Sequence, residues 1–335
     1  MVKDYIVDTN LMSYYIWGKI LGVDKHTYRD KLTVICEKSL ESRDRSYKIY
    51  DCVIKDGSRV VDKVRLAEGE VSSLSSTADS YKKFRDSYII EFNKDTVEHF
   101  KRVMHKLRET CSSGNCYVPP EIPVAFEDGS IKDVFRLSVR NKFVFAPMDR
   151  KFNEKLIEFF DETKSKVLID SDLLNKLDIR SRNYLINNLK RVVGREHIYE
   201  DTENKFYPVV KISDGKHTIV YDSKMKILKV DNKIVKINDE ILNNNPALKQ
   251  IINVLEQSPY DLNKVHEAIK ALRYSKIENM KIESIKEFEP TKAYIDSYLV
   301  SVAHGDVVVL TADRGLARGF SPKVEPLEKE KIEVV

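Results

Sequence analysis

Two short apolar runs, one near each end of the chain, most constrain how this sequence of 335 residues can fold. Tyr5-Ile6-Val7 runs directly into Asp8, and Val307–Leu310 is followed shortly afterwards by Asp313. Apolar runs without alternating polar residues predict strands that are buried on both faces of a parallel sheet. Ending such a strand on a carboxylate costs free energy unless a partner compensates the charge. Because ligands of open α/β sheets bind beyond the carboxyl ends of the strands, Asp8 and Asp313 predict a site at that edge.

The composition is that of a soluble globular protein, with 42% hydrophobic and 33% charged residues. This length predicts about two domains and a sizeable core. No run approaches the ~18 apolar residues of a membrane span, and a charged strand at the start predicts that there is no signal peptide. We therefore expect a cytoplasmic protein that does not bind membranes. The net charge of +4 permits a nucleic-acid partner without requiring one.

The four cysteines are Cys36, Cys52, Cys111 and Cys116. The last two stand in the stretch CSSGNC, whose spacing allows a disulfide or half of a zinc site. No second pair has a matching spacing, and the seven histidines do not supply ligands at helical spacing. Buried or free thiols are therefore the expected state, with the disulfide between Cys111 and Cys116 and a zinc site as alternatives.

The first part of the chain predicts mixed α and β structure. The patterns indicate a strand and a helix over 1–22, a helix over 27–41, a hairpin over 47–66, a loop over 71–80, a long helix from Asn93 and a short strand near 115–118. The long helix is the clearest of these, because its apolar residues recur on one face. Those residues are Val97, Phe100, Val103, Met104 and Leu107.

The middle of the chain begins with an amphipathic helix near 149–166 and then shows apolar residues spaced as in two short helices that cross at a tight turn. These apolar residues are Leu173, Leu177, Ile179, Leu185, Leu189 and Val192. A polar hairpin follows near 201–204. Over about 150–212 the pattern resembles a winged helix-turn-helix, and the resemblance implies cations that contact nucleic-acid phosphates. Those cations are Arg182, Lys190, Arg191 and Arg195. An ordinary helical hairpin with a basic, solvated face is the alternative.

A third carboxylate, Asp296, stands near the start of a predicted helix that leads into the strand at 307–310. If Asp8, Asp296 and Asp313 converge, their like charges repel one another unless a cation neutralises them. Oxygen-only ligands suit Mg²⁺ or Mn²⁺. Such a cation can activate water for attack on a phosphodiester, which predicts nuclease chemistry.

At these residues the chain resembles the PIN-domain nucleases. The matching stretches are YIVDTN at the start, and YIDSYLVSVA and VVVLTADRGL near the end. The resemblance implies an α/β fold and a metal-dependent nuclease. It further implies that Asp8, Asp296 and Asp313 are the catalytic and metal-binding acids. The implied supporting hydrogen-bonding residues are Thr9, Asn10 and Thr311.

PIN domains usually supply a further acid, for which the chain offers several candidates. Glu121 is the one that we assign to the metal site, and the alternatives are Glu127, Glu37 and Glu41. Arg314 and Arg318 are one helical turn apart beside Asp313. They are predicted either to bind phosphate or to form a solvated face.

The predicted fold is α/β: a PIN-like parallel sheet built from both chain ends, residues 1–135 and 285–327, with an inserted α+β winged-helix-like domain over 149–280. The N-terminal part is expected to carry its own α/β insertion. The predicted function is Mg²⁺- or Mn²⁺-dependent endonucleolytic cleavage of RNA, with DNA as the less favoured substrate and a homodimer as one form of assembly.

Two other functions compete with the nuclease. One is a non-catalytic PIN-like protein that binds nucleic acid or regulates transcription, and the other is a toxin of a toxin–antitoxin pair. In the non-catalytic case the acids have purely structural roles. Asp8 and Asp313 are then helix caps, and Asp296 is a first-turn residue favoured by the helix dipole.

Overall fold

The computed structural model describes residues 3–40, 48–119, 150–170, 179–201, 209–213, 218–222, 226–230, 233–257, 299, 306–314, 316 and 332–335. Its helices are α1 (Thr9–Leu21), α2 (Glu68–Ser76), α3 (Lys94–Ser113), α4 (Arg150–Thr163), α5 (Ile179–Val193), α6 (Asp239–Asn244) and α7 (Pro246–Gln257). Its strands are β1 (Asp4–Val7), β2 (Leu32–Lys38), β3 (Ile49–Asp56), β4 (Arg59–Ala67), β5 (Ser80–Lys83), β6 (Ser87–Phe92), β7 (Asn115–Val118), β8 (Lys166–Asp170), β9 (Ile198–Asp201), β10 (Val209–Ser213), β11 (Thr218–Asp222), β12 (Ile227–Val230), β13 (Lys233–Lys236), β14 (Val307–Thr311) and β15 (Ile332–Val334).

Strands from both ends of the chain form one parallel sheet in the order β15-β14-β1-β7-β8-β9. Strand β1 pairs with β14 on one side, where Val7 lies opposite Leu310, and with β7 on the other. The α/β class is therefore confirmed, as is the prediction that the two terminal apolar runs lie side by side.

The strand order reverses at the boundary between β1 and β14. From β1 the chain builds outward through β7, β8 and β9, and it later returns to the opposite side of β1 for β14 and β15. Parallel crossovers are almost always right-handed, so connections that leave in opposite directions cover opposite faces of the sheet. A crevice therefore opens at the carboxyl ends of β1 and β14, which is where open α/β sheets bind ligands.

Residues 150–170 and 179–201 complete this sheet and do not form a separate module in front of it. Strand β8 pairs in parallel with β7, β9 pairs in parallel with β8, and α5 connects β8 to β9. The winged-helix interpretation is corrected for these residues, and so is the domain boundary at 149. Leu185 and Leu189 of α5 are buried. Their apolar spacing did not identify the fold, because a crossover helix and a recognition helix have the same spacing. Only the pairing of the flanking strands distinguishes the two.

The chain beyond β9 forms an antiparallel sheet in the order β10-β11-β12-β13, followed by α6 and α7. The sequence over 217–237 predicts β structure, which agrees with this sheet. One helix is predicted at about 239–256, but the structure divides it at Asn245 into α6 and α7. A further helix predicted at about 260–274 lies outside the described residues.

A second antiparallel sheet, in the order β4-β3-β2-β6-β5, is inserted between α1 and α3. The predicted hairpin at 47–66 is confirmed as β3 and β4, which turn at Gly57 with a positive φ of 59°. The predicted helix over 27–41 is wrong, because Leu32–Lys38 contains β-branched residues that pair with β3 and β6. The predicted loop at 71–80 is also wrong in its first half, which belongs to α2.

Helix α1 packs against α3, α4 and β14 and is buried around most of its circumference. A helix that is apolar on all sides is expected to be enclosed by other elements. Trp17, Tyr15 and Leu11 have no exposed surface. The buried face predicted for α3 is confirmed, since all five of its predicted apolar residues are buried. None of the helices in the described part of the chain is long and apolar enough to cross a membrane.

All four cysteines form disulfides, so the expectation of free thiols is wrong. Cys36 and Cys52 lie opposite each other on β2 and β3 and are bonded. Cys111, in the last turn of α3, is bonded to Cys116 on β7. The first disulfide left no signal in the local spacing, because it depends on the register of two paired strands.

The buried carboxylate of Glu70 connects α2 to the start of α4. It accepts hydrogen bonds from the Ala67 N–H at 2.7 Å and from the Phe152 N–H at 2.7 Å. Glu70 is 3% exposed, so both bonds are shielded from water. The carboxylate supplies an acceptor to the first turn of α4, where backbone N–H groups lack partners within the helix.

We expect Glu70→Ala to destabilise the fold by about 2–4 kcal/mol, because it leaves two shielded N–H donors without acceptors. Glu68→Ala on the same helix is the control, since the exposed pair of Glu68 with Lys48 contributes about 0–1 kcal/mol. Urea unfolding measures both changes. Equal effects of the two substitutions would contradict the role of Glu70.

A network of charged and polar side chains joins α1, α3 and α4. Glu162 on α4 accepts from Tyr15, from Lys19 at 2.8 Å and from Arg108 at 3.0 Å. Asp24 adds a second carboxylate, 3.3 Å from Lys19 and 3.6 Å from Arg108. Partial burial by itself raises the pKa of Glu162, but the three donors outweigh burial and lower that pKa to about 2.

Because the pKa of Glu162 is lower in the folded state than its ordinary value of 4.5, its contribution to stability is present above pH 4.5 and is lost as the pH falls towards 2. Its side chain is 34% exposed, so screening limits the contribution to about 1 kcal/mol. We expect Glu162→Gln to lower the free energy of unfolding at pH 7 but much less at pH 2. Glu158→Gln, at the part-buried ion pair with Lys155 on the same helix, is the control. A difference that does not change with pH would rule out this coupling.

Candidate functional site

Asp8 follows β1 directly and occupies the N-cap position of α1. Its N–H donates to the carbonyl of Leu310 at 2.9 Å, which extends the pairing of β1 with β14 by one residue. Its side chain makes no capping hydrogen bond to the helix and is only 8% exposed. The carboxylate instead accepts from the Thr311 hydroxyl at 2.5 Å and from Asn10 Nδ2 at 2.7 Å. The side chain of Asp8 is therefore oriented towards β14 rather than towards its own helix.

Thr311, at the end of β14, is the centre of this arrangement. Its hydroxyl is buried, donates to Asp8 Oδ2 and accepts from the Asp313 N–H at 2.9 Å. Asn10 adds two contacts to β14: its Nδ2 lies 3.2 Å from Thr311 Oγ1, and its Oδ1 accepts from the Ala312 N–H at 3.1 Å. We call Asp8, Asn10, Thr311 and Asp313 the switch-point cluster, because they meet where the strand order reverses.

Asp313 is half-buried and forms part of the turn after β14. Its Oδ1 accepts from the Leu316 N–H at 3.1 Å, so the capping role considered for it from the sequence is present. Asp313 thus contacts the local turn through its side chain and the cluster through its N–H, which donates to Thr311. Two carboxylates from opposite ends of the chain are held at the same edge of the sheet.

Cations lie beside the cluster on α3 and on the turn after β14. Burial lowers the pKa of His99, and the positive charges of Arg102 and Arg314 lower it further. The His99 ring packs edge-on against Tyr14 of α1, with ring centroids 4.9 Å apart. Sequence reasoning identified Arg314 but missed His99 and Arg102. Their only signal was a spacing of one helical turn, which many solvated helices share.

The other residues predicted for the site have varied positions. The Thr9 hydroxyl is buried without a hydrogen-bond partner in the structure as described. Arg182, Lys190 and Arg195 lie on α5 or just after it, and Arg182 forms an ion pair with Glu200 at 3.5 Å. Asp296, Glu121, Arg318 and the side chain of Arg191 lie outside the described residues.

The cluster offers oxygen ligands, the type that hard divalent cations prefer. Asp8 and Asp313 present carboxylate oxygens, which Mg²⁺ and Mn²⁺ prefer over nitrogen or sulfur. Within the described residues no three or more His, Cys, Asp or Glu side chains gather as a metal site would require. The other two predicted ligands, Asp296 and Glu121, lie outside the described residues.

Comparison with known protein families, with curated proteins and with solved structures found no match to this chain. The likeness to PIN-domain nucleases accordingly rests on the motif residues of the chain itself.

We expect Thr311→Val to destabilise the protein by about 1–3 kcal/mol, because it removes the hydroxyl that bonds Asp8 and the Asp313 N–H at a buried position. Thr311→Ser retains the hydroxyl and loses only a methyl group, so it should recover part of that stability. Thermal and urea unfolding of the two variants measure the difference. Equal stability of the Val and Ser variants would show that the hydroxyl does not hold the cluster together.

Proposed function

We propose that this protein is a metal-dependent endonuclease of the PIN type that cleaves RNA. The observation that carries the proposal is the bridge through Thr311, whose hydroxyl bonds the Asp8 carboxylate and the Asp313 backbone at once. That bridge joins acids from the two ends of the chain at the crevice of a parallel sheet, where ligands bind.

The residues of the cluster have separate roles in this proposal. Asp8 and Asp313 would hold the cation, together with Asp296 as the family resemblance implies. Thr311 and Asn10 fix the Asp8 carboxylate in place, since both donate to its Oδ2. The bound Mg²⁺ or Mn²⁺ supplies a Lewis acid and activates water for attack on the phosphodiester.

A polyanionic substrate accounts for the cations around the cluster. Arg314 and Arg102 are exposed, and both act electrostatically on His99. Guanidinium groups bind phosphate oxygens in a bidentate geometry, so they suit the backbone that flanks a scissile bond. Arg182 and Lys190 of α5, and Arg195 just after it, remain proposed contacts for more distant phosphates.

A second candidate is a PIN-like protein that binds nucleic acid without cleaving it. It is favoured by the cap that Asp313 provides for the Leu316 N–H, because a capping aspartate needs no metal. The two candidates differ in whether a divalent cation is required for turnover. They share the expectation that nucleic acid binds.

The test compares the two cluster acids, Asp8 and Asp313, with Asp306 at the opposite end of β14. Asp313→Asn and Asp8→Asn should abolish cleavage of a single-stranded RNA in Mg²⁺ or Mn²⁺, while leaving the unfolding midpoint close to that of the wild type. Asparagine keeps an oxygen that can accept from Thr311 at position 8 and from the Leu316 N–H at position 313, but it removes the charge that would hold the cation. Asp306→Asn is the matched control, since Asp306 is exposed just before β14, at the other end of that strand.

Cleavage is followed by gel electrophoresis of an end-labelled RNA, with EDTA as the metal-free condition. Undiminished cleavage by Asp8→Asn protein, or cleavage in EDTA, would exclude the proposed mechanism. RNA binding by the wild type without any cleavage would favour the non-catalytic candidate.

A further inference from the structure

We propose that the edge strand β5 and the turn after it bind the single-stranded polynucleotide that extends from the switch-point cluster, through aromatic and basic side chains of Tyr81–Arg85. The proposal deepens the proposed function, on which it rests, by naming the surface that holds substrate away from the cleaved bond. We call Tyr81–Arg85 the β5 strip.

The β5 strip exposes aromatic side chains that a folded monomer would ordinarily cover. Tyr81 is 54% exposed and Phe84 is 50% exposed. Tyr81 lies opposite Ile90 of β6, which is fully buried, so the edge position of β5 leaves this aromatic uncovered. Exposed aromatic rings are the stacking platforms on which proteins bind unpaired bases.

The same strip is basic. Lys83 Nζ lies over the Tyr88 ring, 5.3 Å from its centroid, and the charge of Lys82 acts on Glu91 without forming an ion pair. Lys82, Lys83 and Arg85 are exposed and form no ion pair with the described part of the chain. The acids nearby have other cations as partners: Glu91 pairs with Lys31, and Asp86 lies 3.7 Å from Lys38. Three adjacent cations with two aromatic residues match a polynucleotide better than an apolar protein surface.

The β5 strip is connected to the candidate site by contacts in the structure. Asp79, just before β5, accepts from the Asn93 N–H at 2.7 Å and from the Thr96 hydroxyl at 2.9 Å, at the start of α3. One turn further along α3, His99 packs against Tyr14, which lies one turn after Asn10 on α1. The start of β5 is thus adjacent to the cation-rich side of the cluster.

The direction of the strip leads away from the cluster. Ser80 pairs with Glu91, close to the start of α3, whereas Lys83 pairs with Tyr88 at the far end of β6. At about 3.3 Å per residue, the strand and its turn extend for roughly 15 Å. Side chains alternate between the two faces of a strand, so Tyr81 and Lys83 share one face of β5 and Lys82 lies on the other. Because β5 is the edge strand, a single strand that follows this edge would contact side chains of both faces.

The test measures binding of a fluorescein-labelled oligouridylate by anisotropy in EDTA, where no cleavage occurs. Tyr81→Ala/Phe84→Ala should weaken binding by at least about 5-fold for each base that stacks. Lys82→Gln/Arg85→Gln should weaken binding and reduce the slope of log affinity against log salt by up to ~1.4, because each phosphate contact with a single strand contributes ~0.7.

The matched controls lie on β4, the opposite edge of the same sheet. Arg59→Gln/Lys63→Gln removes two exposed cations, and Val60→Ala shortens a side chain that is 49% exposed. These variants should bind the oligouridylate with the affinity and salt slope of the wild type. Equal losses from both edges would mean that binding is non-specific attraction, and would overturn the proposal.

The β5 strip and the nuclease activity can each fail without the other, and the measurements distinguish the two cases. If β5 variants bind like the wild type while Asp8→Asn abolishes cleavage, the β5 strip is not the substrate surface and the nuclease proposal stands. If the β5 variants lose binding but the wild type cleaves no RNA in Mn²⁺, the strip is supported and the nuclease proposal fails. Absence of oligouridylate binding by the wild type would overturn the strip directly.

Discussion

The parallel pairing of β1 with β14 is the interaction on which the rest of the structure depends. It joins the first strand of the chain to one that begins at Val307, so every other described strand except β15 lies between the two in sequence. The bond from the Asp8 N–H to Leu310 carries the pairing up to the site itself. Without that register, Thr311 would not face Asp8, and the two acids would belong to unrelated turns.

Helix α1, which starts at this edge of the sheet, is enclosed by other elements. The helix that follows Asp8 is buried between α3, α4 and β14, so its first turn is positioned by packing as well as by the cluster. Two disulfides brace the neighbouring elements: Cys36–Cys52 joins β2 to β3, and Cys111–Cys116 joins α3 to β7. The network around Glu162 and the carboxylate of Glu70 bind α4 to the same core.

Binding and chemistry are proposed for adjacent surfaces of one fold. The acids lie at the end of the parallel sheet, whereas the β5 strip belongs to the antiparallel sheet inserted between α1 and α3. The first turns of α3 connect the two, through Asp79 on one side and Tyr14 on the other. An insertion that places an exposed basic edge beside a catalytic crevice would extend the substrate contacts of a small nuclease domain without altering its core.

The sequence by itself determined the elements whose identity depends on local composition. The apolar runs before Asp8 and Asp313 identified two central strands, and the spacing of Val97, Phe100 and Leu107 identified α3. Tertiary structure decided whatever depends on a distant partner. Lys166–Asp170 is a strand because β7 and β9 flank it, Cys36 meets Cys52 through strand register, and His99 joins the site because α3 packs on α1. Local periodicity records which face of a segment is apolar, but it carries no information about which element covers that face.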